Sequence, residues 1–237
     1  MQYLKLNRSR IILACFAASA SLLMVFPQID LSISRLFFDR GFPFADHWWN
    51  QLMHASMGYV LCLSLTTVVT VYVCNKLWKR NVWQLDGKKI AYLFLVLLLG
   101  AGLIVNLVLK DNFGRARPRN VVEFGGTRLY TAPFIVSDEC GKNCSFSSGE
   151  AAGGFFFLAL ARALSRRRAV LAAAFGFGAM ASLCRIASGA HFFSDTVASF
   201  FVMLIVADVL YYYLLSPERE RVAPRPLALP RPQVEIP

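Results

Sequence analysis

The chain has 237 residues, 57% of them hydrophobic and only 16% charged, with a mean hydropathy of +0.50 and a formal net charge of +11. That balance excludes an ordinary soluble domain and makes a membrane protein the default. The net charge raises nucleic acid as a partner, but the cations are placed along the chain as a membrane topology places them.

Spanning the hydrocarbon takes about 20 mostly apolar residues, and six runs approach that length: 11–26, 52–74, 90–109, 149–164, 169–186 and 192–215. The prediction is an all-α, six-transmembrane helical bundle over residues 1–216. Lys5, Arg8 and Arg10 precede the first run. Ala18–Ala20 resembles a cleavage pattern, but the apolar run continues through Phe26, so an uncleaved first span is expected. In the loop from Pro27 to Gln51, Trp48 and Trp49 read as interfacial anchors. His47 and His54 lack a partner at a meaningful spacing and are left without a role. Lys76, Lys79, Arg80, Lys88 and Lys89 follow the second run, and Arg162 and Arg166–Arg168 close the fourth, which the short loop 165–168 joins to the fifth as an antiparallel hairpin. Arg219, Arg221, Arg225 and Arg231 lie in a Pro-rich tail, 217–237, read as extended, solvated and without function. These cations fall on one side of the membrane, so both termini are expected in the cytoplasm.

Lys110, Arg115, Arg117, Arg119, Arg128 and Lys142 break that pattern by crowding one external loop. Cations placed against the orientation rule point to a site for an anion. Lys110 and Arg117, with a Gly and a Pro nearby to break the helix, read as folded back toward a common point; Arg115 and Arg119 read equally as phosphate contacts or solvated neighbours. Cys140 and Cys144 bracket three residues of the same loop and form a candidate disulfide if that side is oxidising. No further soft ligand lies nearby for a metal, and no carboxylate or His cluster suits a divalent ion, so neither metal nor cofactor is expected.

Two more fragments reach the same surface. Ser147 or Ser148 is a fitting N-cap for the fourth run, Gly149 allows an anion close to the backbone, and the first-turn amides form the positive end of the helix. Glu150 in that first turn stabilises the dipole or takes part in chemistry. Arg185 is a costly cation near the end of an apolar helix, and His191 and Asp195, four apart, share a helical face on which the carboxylate can fix the imidazole tautomer.

Together the fragments resemble the type 2 phosphatidic acid phosphatase family. Its first motif, Lys, six residues, Arg-Pro, is met by Lys110, Arg117 and Pro118. Its second, Pro-Ser-Gly-His, is similar to Ser147-Ser148-Gly149-Glu150, and its third, Ser-Arg, five residues, His, three residues, Asp, to Cys184-Arg185, His191 and Asp195. The carboxylate in the second motif, with the cysteine loop before it, resembles the branch of lipid A 4′-phosphatases of Gram-negative bacteria. The resemblance implies a multi-pass lipid phosphatase of the bacterial inner membrane, acting on lipid A or on a glycerophospholipid such as phosphatidylglycerophosphate. It implies His191 as nucleophile, forming a phosphohistidine, and Asp195 as the group that orients and charges it. Lys110, Arg117, Ser148, Gly149 and Arg185 would hold the phosphate. Glu150 then remains a general acid, a partner of His191 or of a water, or a cap. A phosphate-lipid-binding protein without turnover stays as the non-enzymatic alternative.

Overall fold

The computed structural model describes residues 2–165 and 167–216; the tail 217–237 and Arg166 lie outside the described residues. Seven helices carry this part of the chain: α1 (Gln2–Val25), α2 (Gln28–Arg35), α3 (Trp48–Leu77), α4 (Gly87–Lys110), α5 (Gly149–Leu164), α6 (Arg168–Ala187) and α7 (Phe193–Leu215). No β-sheet forms among the described residues, where Val121 and Arg128 make an isolated bridge.

Five of the helices, from α1, α3, α4, α6 and α7, are long and apolar enough to cross a membrane. The remaining run of the predicted six, α5, has 16 residues; at about 1.5 Å per residue it rises roughly 24 Å, short of a hydrocarbon core of about 30 Å. Its position explains the difference. Ala151, Ala152, Phe156 and Ala159 are buried in the main core with Leu93, Val96 and Val105 of α4 and Met203 and Ala207 of α7, and α5 packs most extensively on α6. Small residues let its neighbours close on it from all sides.

The fold is therefore a bundle wrapped around a short central helix, with apolar side chains of α1 and α3 left on the outside: Leu22, Met24, Tyr59 and Leu63 are exposed. The N-terminal ends of α3, α5 and α7 meet the C-terminal ends of α4 and α6 at one end of this bundle. There the α2–α3 connection, the long 111–148 connection and Phe192 just before α7 form a second cluster of Phe42, Ala116, Val121, Phe124 and Phe192, packed by Leu31 of α2, Phe37, Phe38 and Tyr130. Over Val96–Lys110 α4 winds as a wider π-helix, a form found often beside functional sites. It ends at Lys110, at the same end of the bundle.

Candidate active site

At the start of α7 the chain makes a turn that fixes the histidine. Gly189 sits at φ +63 with the Phe42 ring against it: a Cβ there would lie 2.4 Å from Phe42 Cδ2. Both the left-handed backbone and the close approach require glycine. The backbone N–H groups of Ala190 and His191 then donate to the Arg185 carbonyl at 3.1 and 3.2 Å, tying the two site residues together.

His191 is buried, and its Nδ1 lies 2.7 Å from the Ser145 carbonyl oxygen. A carbonyl only accepts, so Nδ1 carries the proton and Nε2 keeps the lone pair. Asp195 Oδ2 is 3.7 Å from Nδ1, beyond hydrogen-bond length, so the carboxylate acts on the ring through its charge while Ser145 supplies the orienting contact. Burial holds the imidazole below the ordinary histidine value, and Arg117 and Arg185 push the same way against the attraction of Asp195. A neutral ring with an available Nε2 is a nucleophile.

Asp195 is committed elsewhere. It accepts from Arg115 Nη1 at 2.6 Å, from Ser145 Oγ at 2.5 Å and from the Phe192 amide at 2.8 Å. Arg115 is neither a phosphate contact nor a solvated neighbour, the two roles its position in the sequence allows. It is 1% exposed and binds Thr131 O, Ser194 Oγ, Asp195, Asp30 and Tyr130 OH, with its guanidinium 4.3 Å from the centre of the Phe192 ring. Burial opposes its charge, but Asp195 and Asp30 outweigh burial and hold the guanidinium above the usual arginine value. Asp30 also accepts from the Ser194 amide and hydroxyl; burial pushes its carboxyl up, with Arg115 opposing.

The other cations are less occupied. Arg117 donates to the Asn143 carbonyl through Nε and Nη2 at 3.2 and 2.9 Å and to Asn143 Oδ1 at 3.0 Å. Asn143 stands in the small loop that Cys140 and Cys144 close as a disulfide, their Cα atoms 5.6 Å apart. Burial, then Arg119 and Arg185, hold Arg117 below the ordinary arginine value against the attraction of Glu150 and Asp195. Lys110 lies within electrostatic reach of Arg117, Glu150 and Arg185. Ser148 caps α5, its Oγ accepting from the Ala151 amide at 3.3 Å while its carbonyl accepts from Ser199 Oγ. Gly149 also makes room for Asn106 of α4, since a Cβ would lie 2.6 Å from Asn106 Oδ1.

Glu150 does not reach His191 through any hydrogen bond described here. Its Oε1 accepts from His54 Nδ1 at 2.8 Å and lies 3.2 Å from Arg185 Nε. His47, by contrast, caps α3, its Nδ1 accepting from the Trp49 amide. Among the described residues no group of three or more His, Cys, Asp or Glu side chains is arranged to hold a metal ion.

Lys110, Arg117, Ser148, Gly149, Glu150, Arg185, His191 and Asp195 thus converge on one end of the bundle. Asp30, Asn106, Ser145, Asn143 and Ser194 join them without having been singled out in the sequence. An acidic residue inside the otherwise apolar Ile29-Asp30-Leu31 was the available signal for Asp30; no local pattern marks the other four.

Comparison with known proteins gives the family. The family model described as PAP2 superfamily matches residues 91–218. A protein named Lipid A 4'-phosphatase from Francisella tularensis subsp. novicida (strain U112) is 30% identical over 217 residues, covering 84% of this chain and 92% of its own. Another of that name from Rhizobium leguminosarum is 30% identical over 215 residues, covering 83% and 91%. One from Rhizobium etli is 29% identical over 220 residues, covering 83% of each chain. No solved structure matches.

Proposed function

Because the chain belongs to the PAP2 superfamily and is a phosphoric monoester hydrolase, we propose that it removes the 4′-phosphate of lipid A through a phosphohistidine on His191. The observation that carries the mechanism is the pairing of His191 Nδ1–H with the Ser145 carbonyl. It leaves Nε2 as the attacking atom, in a ring whose charge feels both Arg117 and Arg185.

In the first half-reaction His191 Nε2 forms a bond to phosphorus while the bond to the sugar oxygen breaks. Lys110, Arg117 and Arg185 hold the phosphate oxygens, with the Ser148 hydroxyl and the first-turn amides of α5 completing the cradle. Positioning and charge stabilisation do most of the work in such transfers. In the second half-reaction water attacks the phosphohistidine, releasing inorganic phosphate and restoring the imidazole. Asp195 contributes negative charge 3.7 Å from the ring and holds, with Ser145, the carbonyl that orients it.

The proposal places six spans in a bacterial inner membrane, α5 among them, with both termini cytoplasmic and the site facing the periplasm. The run of Lys76, Lys79, Arg80, Lys88 and Lys89 at the end opposite the site supports that orientation. The lipid A reading is supported by the name the three relatives share. Purified protein in detergent, assayed on lipid A and phosphatidylglycerophosphate side by side, tests it: preferential release of phosphate from the 4′ position of lipid A is expected. Faster hydrolysis of phosphatidylglycerophosphate would replace that substrate class, and binding without phosphate release would replace the enzymatic reading.

A further inference from the structure

Departure of a sugar oxygen needs a proton, and no side chain named above supplies one. Glu150 stands at the right place but makes the wrong contacts. Its Oε1 accepts from His54 Nδ1 and lies 3.2 Å from Arg185 Nε as an ion pair. A carboxylate that accepts from one neighbour and faces the cation of another orients the imidazole beside it and has no donor of its own aimed at a substrate.

We propose that His54 of α3 is the proton donor of the reaction, with Glu150 as the residue that positions it. A donated Nδ1–H fixes the ring and leaves Nε2 pointing away from the carboxylate, the arrangement by which a carboxylate orients a catalytic imidazole. The His54 side chain is 63% exposed while Glu150 is 19% exposed, so the pair has its base inside the site and its working edge open. Packing puts it there. A Cβ on Gly153 would lie 3.0 Å from Leu61 Cδ1 and 3.5 Å from Met57 Sδ, so α3 can run this close along α5. One turn earlier on each helix the same approach brings His54 onto Glu150. The pair borders the phosphate cradle, since Glu150 Oε1 also lies 3.2 Å from Arg185 Nε.

The inference rests on the phosphohistidine reading. As His191 Nε2 bonds to phosphorus, the electron pair of the breaking P–O bond goes to the sugar oxygen, which takes the Nε2 proton of His54. Neutral His54 then receives a proton from the water that attacks the phosphohistidine. Phosphate leaves, and both histidines return to their starting states.

Leaving-group dependence tests the assignment. With lipid A, the full-length His54→Ala protein is expected to lose about 10²- to 10⁴-fold in turnover. With 4-nitrophenyl phosphate, whose leaving group departs without a proton, the first-turnover burst of 4-nitrophenolate, which reads the first half-reaction alone, should change less than about fivefold. A His54→Ala, Glu150→His double variant, which returns an imidazole to the rim of the cradle, should regain at least a tenth of the lipid A activity. Equal loss on both substrates with no rescue by the double variant would make His54 a structural tie between α3 and α5 and overturn the proposal, as would full lipid A turnover by His54→Ala. His191→Ala tests the underlying reading separately: residual phosphohydrolysis there would remove the phosphohistidine scheme whatever His54 does.

Discussion

Arg115 and Arg117 are two residues apart, yet they belong to assemblies of opposite kind. Arg115 is 1% exposed and meets two carboxylates, two hydroxyls and a carbonyl, so its donors are spent inside the protein. Arg117 reaches Asn143, and otherwise feels Arg119, Arg185 and Lys110 against the weaker pull of Glu150 and Asp195. A closed network has nothing left to offer a ligand and serves to hold α2, the connecting loop and the start of α7 in register. An open cluster of cations is unfavourable until an anion enters, and that deficit is its binding energy. The far end of the bundle follows the closed pattern: Asp208 accepts from Arg162 and Ser9 at 2.8 and 2.6 Å and lies 3.2 Å from Arg8.

The sharpest break between the two assemblies is at His191, which touches both. His191→Ala is expected to lower turnover by about 10⁴-fold or more, as removal of a nucleophile does, while the thermal unfolding midpoint in detergent changes little. Arg115→Met should do the reverse. Leaving Asp30 and Asp195 buried without their cation costs about 3–5 kcal/mol, read as a lowered unfolding midpoint, and activity should fall in proportion to the folded fraction. Arg117→Gln is expected to lose about 10²- to 10³-fold in kcat with the unfolding midpoint unchanged. If Arg115→Met were stable and inactive, or Arg117→Gln unstable, the division into closed and open assemblies would be wrong.

A smaller effect lies in the pH profile. Burial and the arginines hold His191 below the ordinary histidine value of about 6.5, so the ring stays neutral through that pH and the acid limb of kcat/KM should fall below it. Removing a cation in Arg117→Gln lets the ring protonate more readily, and the limb should move up by a few tenths of a unit to about one unit. Stability follows the same sign. The unfolded state binds the proton more readily, so the contribution of His191 is complete above about pH 6.5 and is lost as pH falls below it.

The open assembly was largely legible in the sequence and the closed one was not, for a physical reason. Lys110, Arg185, His191 and Asp195 sit at or beside helix ends and Arg117 in the connection just after α4, where short spacings along the chain translate into shared position. Six apolar runs announced the bundle, though α5 proved too short to count by length, because it is buried by its neighbours rather than sized by the lipid. The partners of the closed network are 85 residues apart for Arg115 and Asp30 and 50 for Ser145 and Asp195. His54 and Glu150 are 96 apart, which is why neither spacing nor periodicity linked them. At Gly149 the need for a glycine was visible, but the packing against Asn106 of another helix was not.

The smallest predicted effect probes the border between the two assemblies. Asn143 has φ +54 and aims both its carbonyl and its side-chain oxygen at Arg117, and the Cys140–Cys144 bond closes the loop that holds it there. Asn143→Ala removes one neutral acceptor, worth about 0.5–1.5 kcal/mol, so KM for the lipid should rise about two- to tenfold with kcat nearly unchanged. Reducing the disulfide should raise KM at least as far, because the carbonyl position is lost along with the side chain. Both changes loosen the guanidinium without removing its charge, so they should weaken capture of the phosphate more than its transfer. A loss of kcat as large as that of Arg117→Gln would mean that Arg117 must be held rigidly for the chemical step, and the loop would then belong to the catalytic apparatus and not merely to its support.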